Sequence, residues 1–238
     1  MTAPWKLEAE RDLLSAERSP AVLPTSTLFM FAMTGRQHPP STATVGRWIK
    51  DLVAAGKIIP VTKGVYLNRM GHPDVTPADA AWMVRAHAFV SLTWVLEQAG
   101  ITNNFGDTIT CVIPIRPDWP NPQISDRQTA AGTFRFFAMP DRLVRPQKAR
   151  LEDLRDLRFA YERASPEKAF LDMLYLGASS RSRMTPPPFD LEFSRLDKRK
   201  LVRLASAMGV SSLLEAWSAQ WNARQKSPSV IENELVLP

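Results

Sequence analysis

The stretch that decides the fold is Ser41-Thr42-Ala43-Thr44-Val45-Gly46-Arg47-Trp48-Ile49-Lys50-Asp51-Leu52-Val53-Ala54-Ala55-Gly56, together with the Lys57-Ile58-Ile59-Pro60-Val61-Thr62-Lys63-Gly64-Val65-Tyr66-Leu67-Asn68-Arg69 that follows. Its apolar residues fall at Val45, Trp48, Ile49, Leu52 and Val53, the spacing of a helix that lays one stripe against a core. Thr44, Arg47, Lys50 and Asp51 are left facing water. Ser41, Thr42 or Thr44 can each supply the N-cap, and Gly56 stands where a left-handed C-cap ends a helix.

After Gly56, Lys57 to Val61 and Val65 to Leu67 are short β-prone runs about a Thr62-Lys63-Gly64 turn, a hairpin whose Pro60 belongs on a sheet edge. Upstream, Trp5, Ala9, Leu13 and Ala16 suit a first helix, and Thr25 to Met33, with its apolar run Leu28 to Met33, suits a buried second one. Three helices and a hairpin in about 70 residues predict a winged helix-turn-helix, with the third helix in the major groove and the hairpin on backbone phosphate. Ser41, Thr42, Thr44, Arg47, Lys50, Lys63 and Arg69 are the candidate DNA contacts. Arg47 and Lys50 are placed to read base edges, where a bidentate arginine is worth roughly 1 to 3 kcal/mol of discrimination. Lys63 and Arg69 would add salt-sensitive affinity to phosphate. A plain solvated helix face is the alternative for the same basic residues.

Charge agrees. Residues 1–70 carry nine Lys and Arg against five acids, a surplus of four that supplies most of the whole-chain +6. A sequence pI near 9.7 favours a polyanionic partner, nucleic acid more readily than membrane. With 238 residues and 45% hydrophobic content the chain fills one or two cores. The expected class is α+β: a winged helix-turn-helix over residues 1–70 and a mixed α+β domain over 71–238. No signal-peptide pattern opens the chain and no apolar run approaches a membrane span, so a cytoplasmic protein with no membrane partner is expected. The single cysteine, Cys111, lies in the strand-like run Thr108 to Ile115 and reads as a packed thiol.

Gly71-His72-Pro73-Asp74 reads as a short linker. Thr76, Pro77 and Asp79 then open a helix to about His87, and Ser91 to Ala99 forms another, closed by Gly100. Strands are expected at Thr108 to Ile115 and Thr133 to Met139, with Leu157 to Glu162 as a third. From Ala164 the sequence writes both ends of a buried helix: Ser165 as N-cap, Pro166 at the first helical position, Glu167 at the positive end of the dipole, and Gly177 as terminator.

The Ser165-Pro166-Glu167-Lys168-Ala169-Phe170-Leu171-Asp172-Met173-Leu174-Tyr175 run resembles the hallmark helix of AbiEi-type antitoxins, the transcriptional regulators of type IV toxin-antitoxin systems. Leu52 to Ile58 followed by Lys63 to Tyr66 is similar to that family's helix-to-wing passage. Val90 to Ile101 is similar to its serine-led helix, and Leu196 to Trp217 to its closing helical pair. The resemblance covers nearly the whole chain. It implies a DNA-binding autorepressor of a two-gene operon, acting on repeated half-sites upstream of its own gene, with a role in phage defence. It also implies a neighbouring nucleotidyltransferase-like toxin whose effect is countered without a stable complex.

A second basic zone runs from Arg181 to Arg203, where Arg181, Arg183, Arg195, Lys198, Arg199, Lys200 and Arg203 stand against Asp190, Glu192 and Asp197. Arg181, Arg183, Lys198, Arg199, Lys200 and Arg203 are candidates for a second polyanion surface, with a solvated helix face as the alternative.

An enzyme is not expected. His38, His72 and His87 are far apart in sequence and fit no zinc spacing, no phosphate loop or nucleophile elbow appears, and no lysine has an acid two residues before it. Glu162, Glu167 and Asp172 are assigned capping or surface roles, and no cofactor or metal is expected. A different class remains open: a docking module without specific DNA binding that neutralises a partner directly, using Trp48, Trp94, Trp217 and Trp221 as its surface.

Overall fold

The computed structural model describes residues 4–103 and 106–226. The outer bounds of both expected domains, residues 1–3 and 227–238, lie outside the described residues. The chain is mixed α+β, with ten α-helices, two 3-10 turns and two sheets among the described residues.

Helix α1 (Pro4–Leu14) buries Ala9 and Leu13, while Ala16, expected on the same helix, lies beyond its end in an exposed turn. Strand β1 (Val22–Pro24) leads into α2 (Thr25–Met33). The apolar run of α2 is split: Leu28 and Ala32 are buried and Met30 is exposed, because a nine-residue helix on a small core covers only one of its sides. Arg36 closes that helix, its guanidinium donating to the carbonyls of Ala32 at 2.8 Å and Phe31 at 3.1 Å and pairing with Glu8.

Helix α3 (Thr42–Ala54) forms as its periodicity predicts, burying Val45, Trp48, Ile49 and Leu52. Ser41 is the N-cap and accepts from the Thr44 amide. Gly56, at φ 65°, ends the helix in a Schellman turn, with Lys57 N–H on Leu52 O and Gly56 N–H on Val53 O, both 3.0 Å. Strands β2 (Ile58–Thr62) and β3 (Val65–Asn68) follow as a hairpin across the two-residue turn Lys63-Gly64, with Gly64 at φ 76°. The sheet order is β1-β3-β2, all antiparallel, so Pro60 sits on an edge strand that bulges between Pro60 and Thr62. Strand β1 has only three residues, too few to show a period, and sequence reading missed it.

Apolar side chains gather in two clusters. The first is Ala9, Leu13, Leu23, Leu28, Ala32, Val45, Trp48, Ile49, Leu52 and Ile58. The second begins with Val61 and Leu67 and continues from Ala78 to Trp217, with Val22, Ile59 and Val65 packed against it. The three-stranded sheet is therefore covered on both faces. Residues Gly71 to Asp74, expected as a linker, are clamped to the first cluster's side. Buried Asn68 donates to Leu13 O and Ser19 Oγ, His72 Nε2 lies 2.7 Å from Ser19 O, and a Cβ on Gly71 would stand 2.6 Å from Leu13 O.

Beyond the clamp, Thr76 and Asp79 form a capping box at a 3-10 turn (Pro77–Ala80) that runs into α4 (Ala81–Val84). The helix stops at Arg85 rather than His87, and His87 itself adopts φ 64°. Strand β4 (Phe89–Val90) precedes α5 (Thr93–Gln98), which starts later than expected because Leu92 breaks the helix at φ 65°. Strands β5 (Thr108–Ile115), β6 (Arg127–Thr129) and β7 (Gly132–Pro140) complete a sheet of order β4-β5-β7-β6, with β5 and β7 parallel. Cys111 is fully buried in β5, and burial pushes its thiol far up, as a packed thiol requires.

Short helices α6 (Asp141–Val144) and α7 (Leu151–Leu154) lead to a loop at Leu157 to Glu162, not the expected strand. Asp156 clasps Arg158 there at 2.7 Å and Leu157 is turned outward, leaving only the isolated bridges Arg155 to Ala164 and Val90 to Arg163. Helix α8 (Pro166–Ala178) is the buried centre, capped by Ser165. Gly177 lies within α8 rather than ending it, and a Cβ there would fall 2.5 Å from Pro186 Cα, so the glycine serves close packing. A 3-10 turn (Phe193–Arg195), α9 (Lys198–Met208) and α10 (Ser211–Lys226) close the chain over α8, with Phe170, Phe189, Phe193 and Trp221 packed about Trp217. No helix among the described residues is long and apolar enough to cross a membrane.

Candidate nucleic-acid interface

Helix α3 presents Thr44, Arg47, Lys50 and Asp51 on the side opposite its buried stripe, and with Lys6 of α1 these residues line an open cleft of about 370 Å³. The cap holds the N-terminal end: Ser41 Oγ lies 2.9 Å from Thr44 Oγ1, so both hydroxyls are engaged locally, and Thr42 is exposed in the first turn. Arg47 reaches Thr44 Oγ1 at 3.5 Å, the outer limit of a hydrogen bond, and is otherwise in solvent. The free amides and the dipole of the same helix end favour an anion beside these cations.

Not every cation of the first 70 residues is available. Lys6 pairs with Asp51 at 3.5 Å, Arg18 with Asp12 at 3.3 Å, Arg36 with Glu8, and Lys57 with Glu10, which also accepts from Trp48 Nε1. Arg47, Lys50, Lys63 and Arg69 are exposed and form no ion pair among the described residues. Lys63 sits at the tip of the β2–β3 turn, and Arg69 follows β3 with its amide on Lys57 O at 3.2 Å. The candidate set thus divides into a helix pair, a hairpin tip and a strand end.

The second basic zone divides as well. Arg203 forks onto Asp153 at 2.9 and 3.2 Å, which raises its pKa, and Lys200 lies 3.1 Å from Glu167 Oε2. These two cations fasten α9 to α7 and α8. Arg181 and Arg183 are exposed in the loop after α8, and Lys198 and Arg199 are exposed in the first turn of α9. That turn is stabilised by Asp197, whose carboxylate caps the Arg199 and Lys200 amides and is held below its usual range by those bonds.

Of the three acids assigned capping or surface roles, Asp172 and Glu167 are buried, whereas Glu162 stays half-exposed. Asp172 is fully buried in an ion pair with Lys168, also fully buried, and accepts from Ser91 Oγ at 2.7 Å. Burial pushes Lys168 down and Asp172 up, and each charge opposes the other's shift. Glu167 is buried and accepts the Asp197 amide at 3.0 Å, while Glu162 pairs with Arg155 at 3.0 Å. The spacing of Lys168 and Asp172, four apart on a helix with apolar residues all round, was the signal that both belong inside.

The tryptophans considered for a partner surface are packed. Trp48 and Trp217 are buried, Trp217 donating to Pro187 O at 2.9 Å, and Trp94 and Trp221 lie half-buried against the larger cluster. The exposed one is Trp82, which no sequence pattern marked. Searches for related proteins find no family model that matches the chain and no match among curated proteins.

Proposed function

We propose that the chain is a sequence-specific DNA-binding autorepressor of the AbiEi antitoxin type, working on operator DNA upstream of its own operon. It would counter a nucleotidyltransferase-like toxin without a stable complex. The observation that carries the reading is the unpaired Arg47–Lys50 stripe on a capped helix, opposite a buried face, followed by a hairpin whose two-residue turn exposes Lys63 at its tip. Three helices and a three-stranded antiparallel sheet support a winged helix-turn-helix, in which α3 reads base edges and the hairpin touches phosphate. Paired copies on repeated half-sites would stand one or more turns of DNA apart, roughly 34 to 36 Å each.

The test is binding of the purified protein to DNA from immediately upstream of its gene against scrambled DNA across a salt series. Arg47→Ala is expected to lose roughly ten- to a hundredfold in preference for the upstream sequence. Lys63→Ala is expected to weaken both DNAs alike and lower the log-log salt slope by about 0.9. Wild-type protein that shows no preference for the upstream DNA overturns the autorepressor, and salt-insensitive capture of a protein partner would put direct docking in its place.

A further inference from the structure

Trp82 and Met83, consecutive on α4, are exposed to 40% and 48%. Beside them His87 packs on Trp82 nearly at right angles, 4.8 Å between ring centroids, and Trp119 also packs on His87, at 5.7 Å. Trp119 is fixed by a tight turn in which its amide and carbonyl bond those of Arg116. His87 holds this place from φ 64°, a strained conformation for a residue with a side chain, and its Nδ1 is shielded from water with no partner among the described residues. With Nδ1 shielded, what this surface offers a ligand is the open indole of Trp82, held in place by the His87 ring.

The charge around the rings defines the ligand. Arg116 and Arg135 are neutralised by Asp118 and Asp126. Arg85 and Arg127 have no carboxylate within ion-pair distance among the described residues. Arg85 lies over Phe136 at 4.9 Å and donates to Gln123 Oε1 at 2.6 Å, its Nε unpartnered. Its pKa is lowered by burial and by the neighbouring positive charge of Arg127. Arg127 reaches in turn to Thr62 Oγ1 at 3.3 Å, at the end of β2 beside Lys63. An unneutralised basic track thus runs from the hairpin tip through Arg127 and Arg85 to an aromatic cluster. Flat π-faces flanked by arginines are how proteins hold unpaired bases and the phosphates that join them.

We propose that Trp82, His87 and Trp119, with Arg85 and Arg127, form a binding site for single-stranded DNA, in which a base stacks on Trp82 and the arginines meet the flanking phosphates. The site stands on its own geometry. The choice of DNA over RNA rests on the reading of α3 and the hairpin, with which the basic track is continuous.

Fluorescence anisotropy with fluorescein-labelled dT12, U12 and a duplex of upstream DNA tests it on the full chain. Trp82→Ala is expected to weaken dT12 binding roughly ten- to a hundredfold, with Trp82→Phe recovering part of the loss. Arg127→Ala should lower the dT12 salt slope by about 0.7, one phosphate's share on a single strand. Both side chains are exposed or at a sheet edge, and unchanged circular dichroism melting certifies the fold. Arg47→Ala should leave dT12 binding intact while lowering the preference for the upstream duplex roughly ten- to a hundredfold, which separates this inference from the α3 reading. Binding of dT12 that is absent, or indifferent to both Trp82→Ala and Arg127→Ala, overturns the site; tighter, Trp82-dependent binding of U12 overturns its assignment to DNA.

Discussion

Removing either member of the Lys168–Asp172 pair should destabilise the protein in a way that reveals which charge was left behind. Both side chains are fully buried, and the pair is tied to Ser91. In Asp172→Leu the orphaned Lys168 must shed its proton to stay buried, which at pH 7 costs about 1.36 × (10.4 − 7), or roughly 4.6 kcal/mol. In Lys168→Met the orphaned Asp172 must take a proton, at about 1.36 × (7 − 3.9), or roughly 4.2 kcal/mol. Both fall within the about 3 to 5 kcal/mol expected for breaking a buried pair, a sizeable share of the about 5 to 15 kcal/mol by which proteins are stable.

The two variants differ in the sign of their pH dependence. With Lys168 buried neutral, the unfolded chain binds one more proton than the folded one below pH ~10, so Asp172→Leu should recover about 1.4 kcal/mol per pH unit relative to wild type as pH rises. With Asp172 buried protonated, the folded chain binds the extra proton above pH ~4, so Lys168→Met should recover as pH falls. Replacing all three groups, Lys168→Met with Asp172→Leu and Ser91→Ala, should restore stability to near wild type, since no buried charge remains. Urea unfolding followed by circular dichroism between pH 5 and 9 reads all four proteins. Single variants costing under about 1 kcal/mol, or sharing the wild-type pH slope, would refute a buried charged pair.

Three further outcomes follow from the packing. Gly177→Ala places a methyl 2.5 Å from Pro186 Cα and should cost about 1 to 3 kcal/mol in urea unfolding, against the usual gain of a helical alanine. Ser165→Ala removes the α8 cap and the donor to Asp153 O at 2.6 Å, and a loss of about 1 to 2 kcal/mol is expected in the same assay. Asp156 is held below its usual range first by its hydrogen bonds to Arg158, so its contribution is complete above the unfolded pKa near 4 and is lost as pH falls through the folded value. Thermal melts from pH 5 down to 2 should therefore fall less steeply for Asp156→Asn than for wild type.

Sequence periodicity found what is periodic. Helix α3, its Ser41 cap and Gly56 terminator, and the hairpin stand where the residue pattern puts them, because each satisfies its own hydrogen bonds locally and buries one legible face; β5 and β7 were legible as β-prone runs, though not their parallel pairing across a long crossover. Elements settled by distant contacts were not legible. Strand β1 exists through pairing with β3, more than 40 residues away, and Gly177 is explained by Pro186 rather than by a helix end. Helix α4 ends where Arg85 turns extended ahead of His87 at positive φ, and α5 starts late because Leu92 adopts positive φ, which none of these residue types announces. At the candidate interface, the sequence marked the exposed cations Arg47, Lys50, Lys63 and Arg69, but it held no sign that Lys200 and Arg203 were committed to Glu167 and Asp153. Ion pairing between elements is set by how helices cross, and charge counting is blind to it.

The double coverage of the β1-β3-β2 sheet bears on how the protein can be dissected. A fragment cut after residue 70 keeps the whole of the first apolar cluster and therefore looks self-sufficient on paper. It would nevertheless lay bare Val22, Ile59, Val61, Val65 and Leu67, the face that Ala78, Ala80 and their neighbours cover in the intact chain. Such a fragment is primed to pair with itself, and a DNA affinity or stoichiometry measured on it would report that adhesion. An N-terminal unit that is to be moved intact has to travel with its backing, through the 3-10 turn that ends at Ala80.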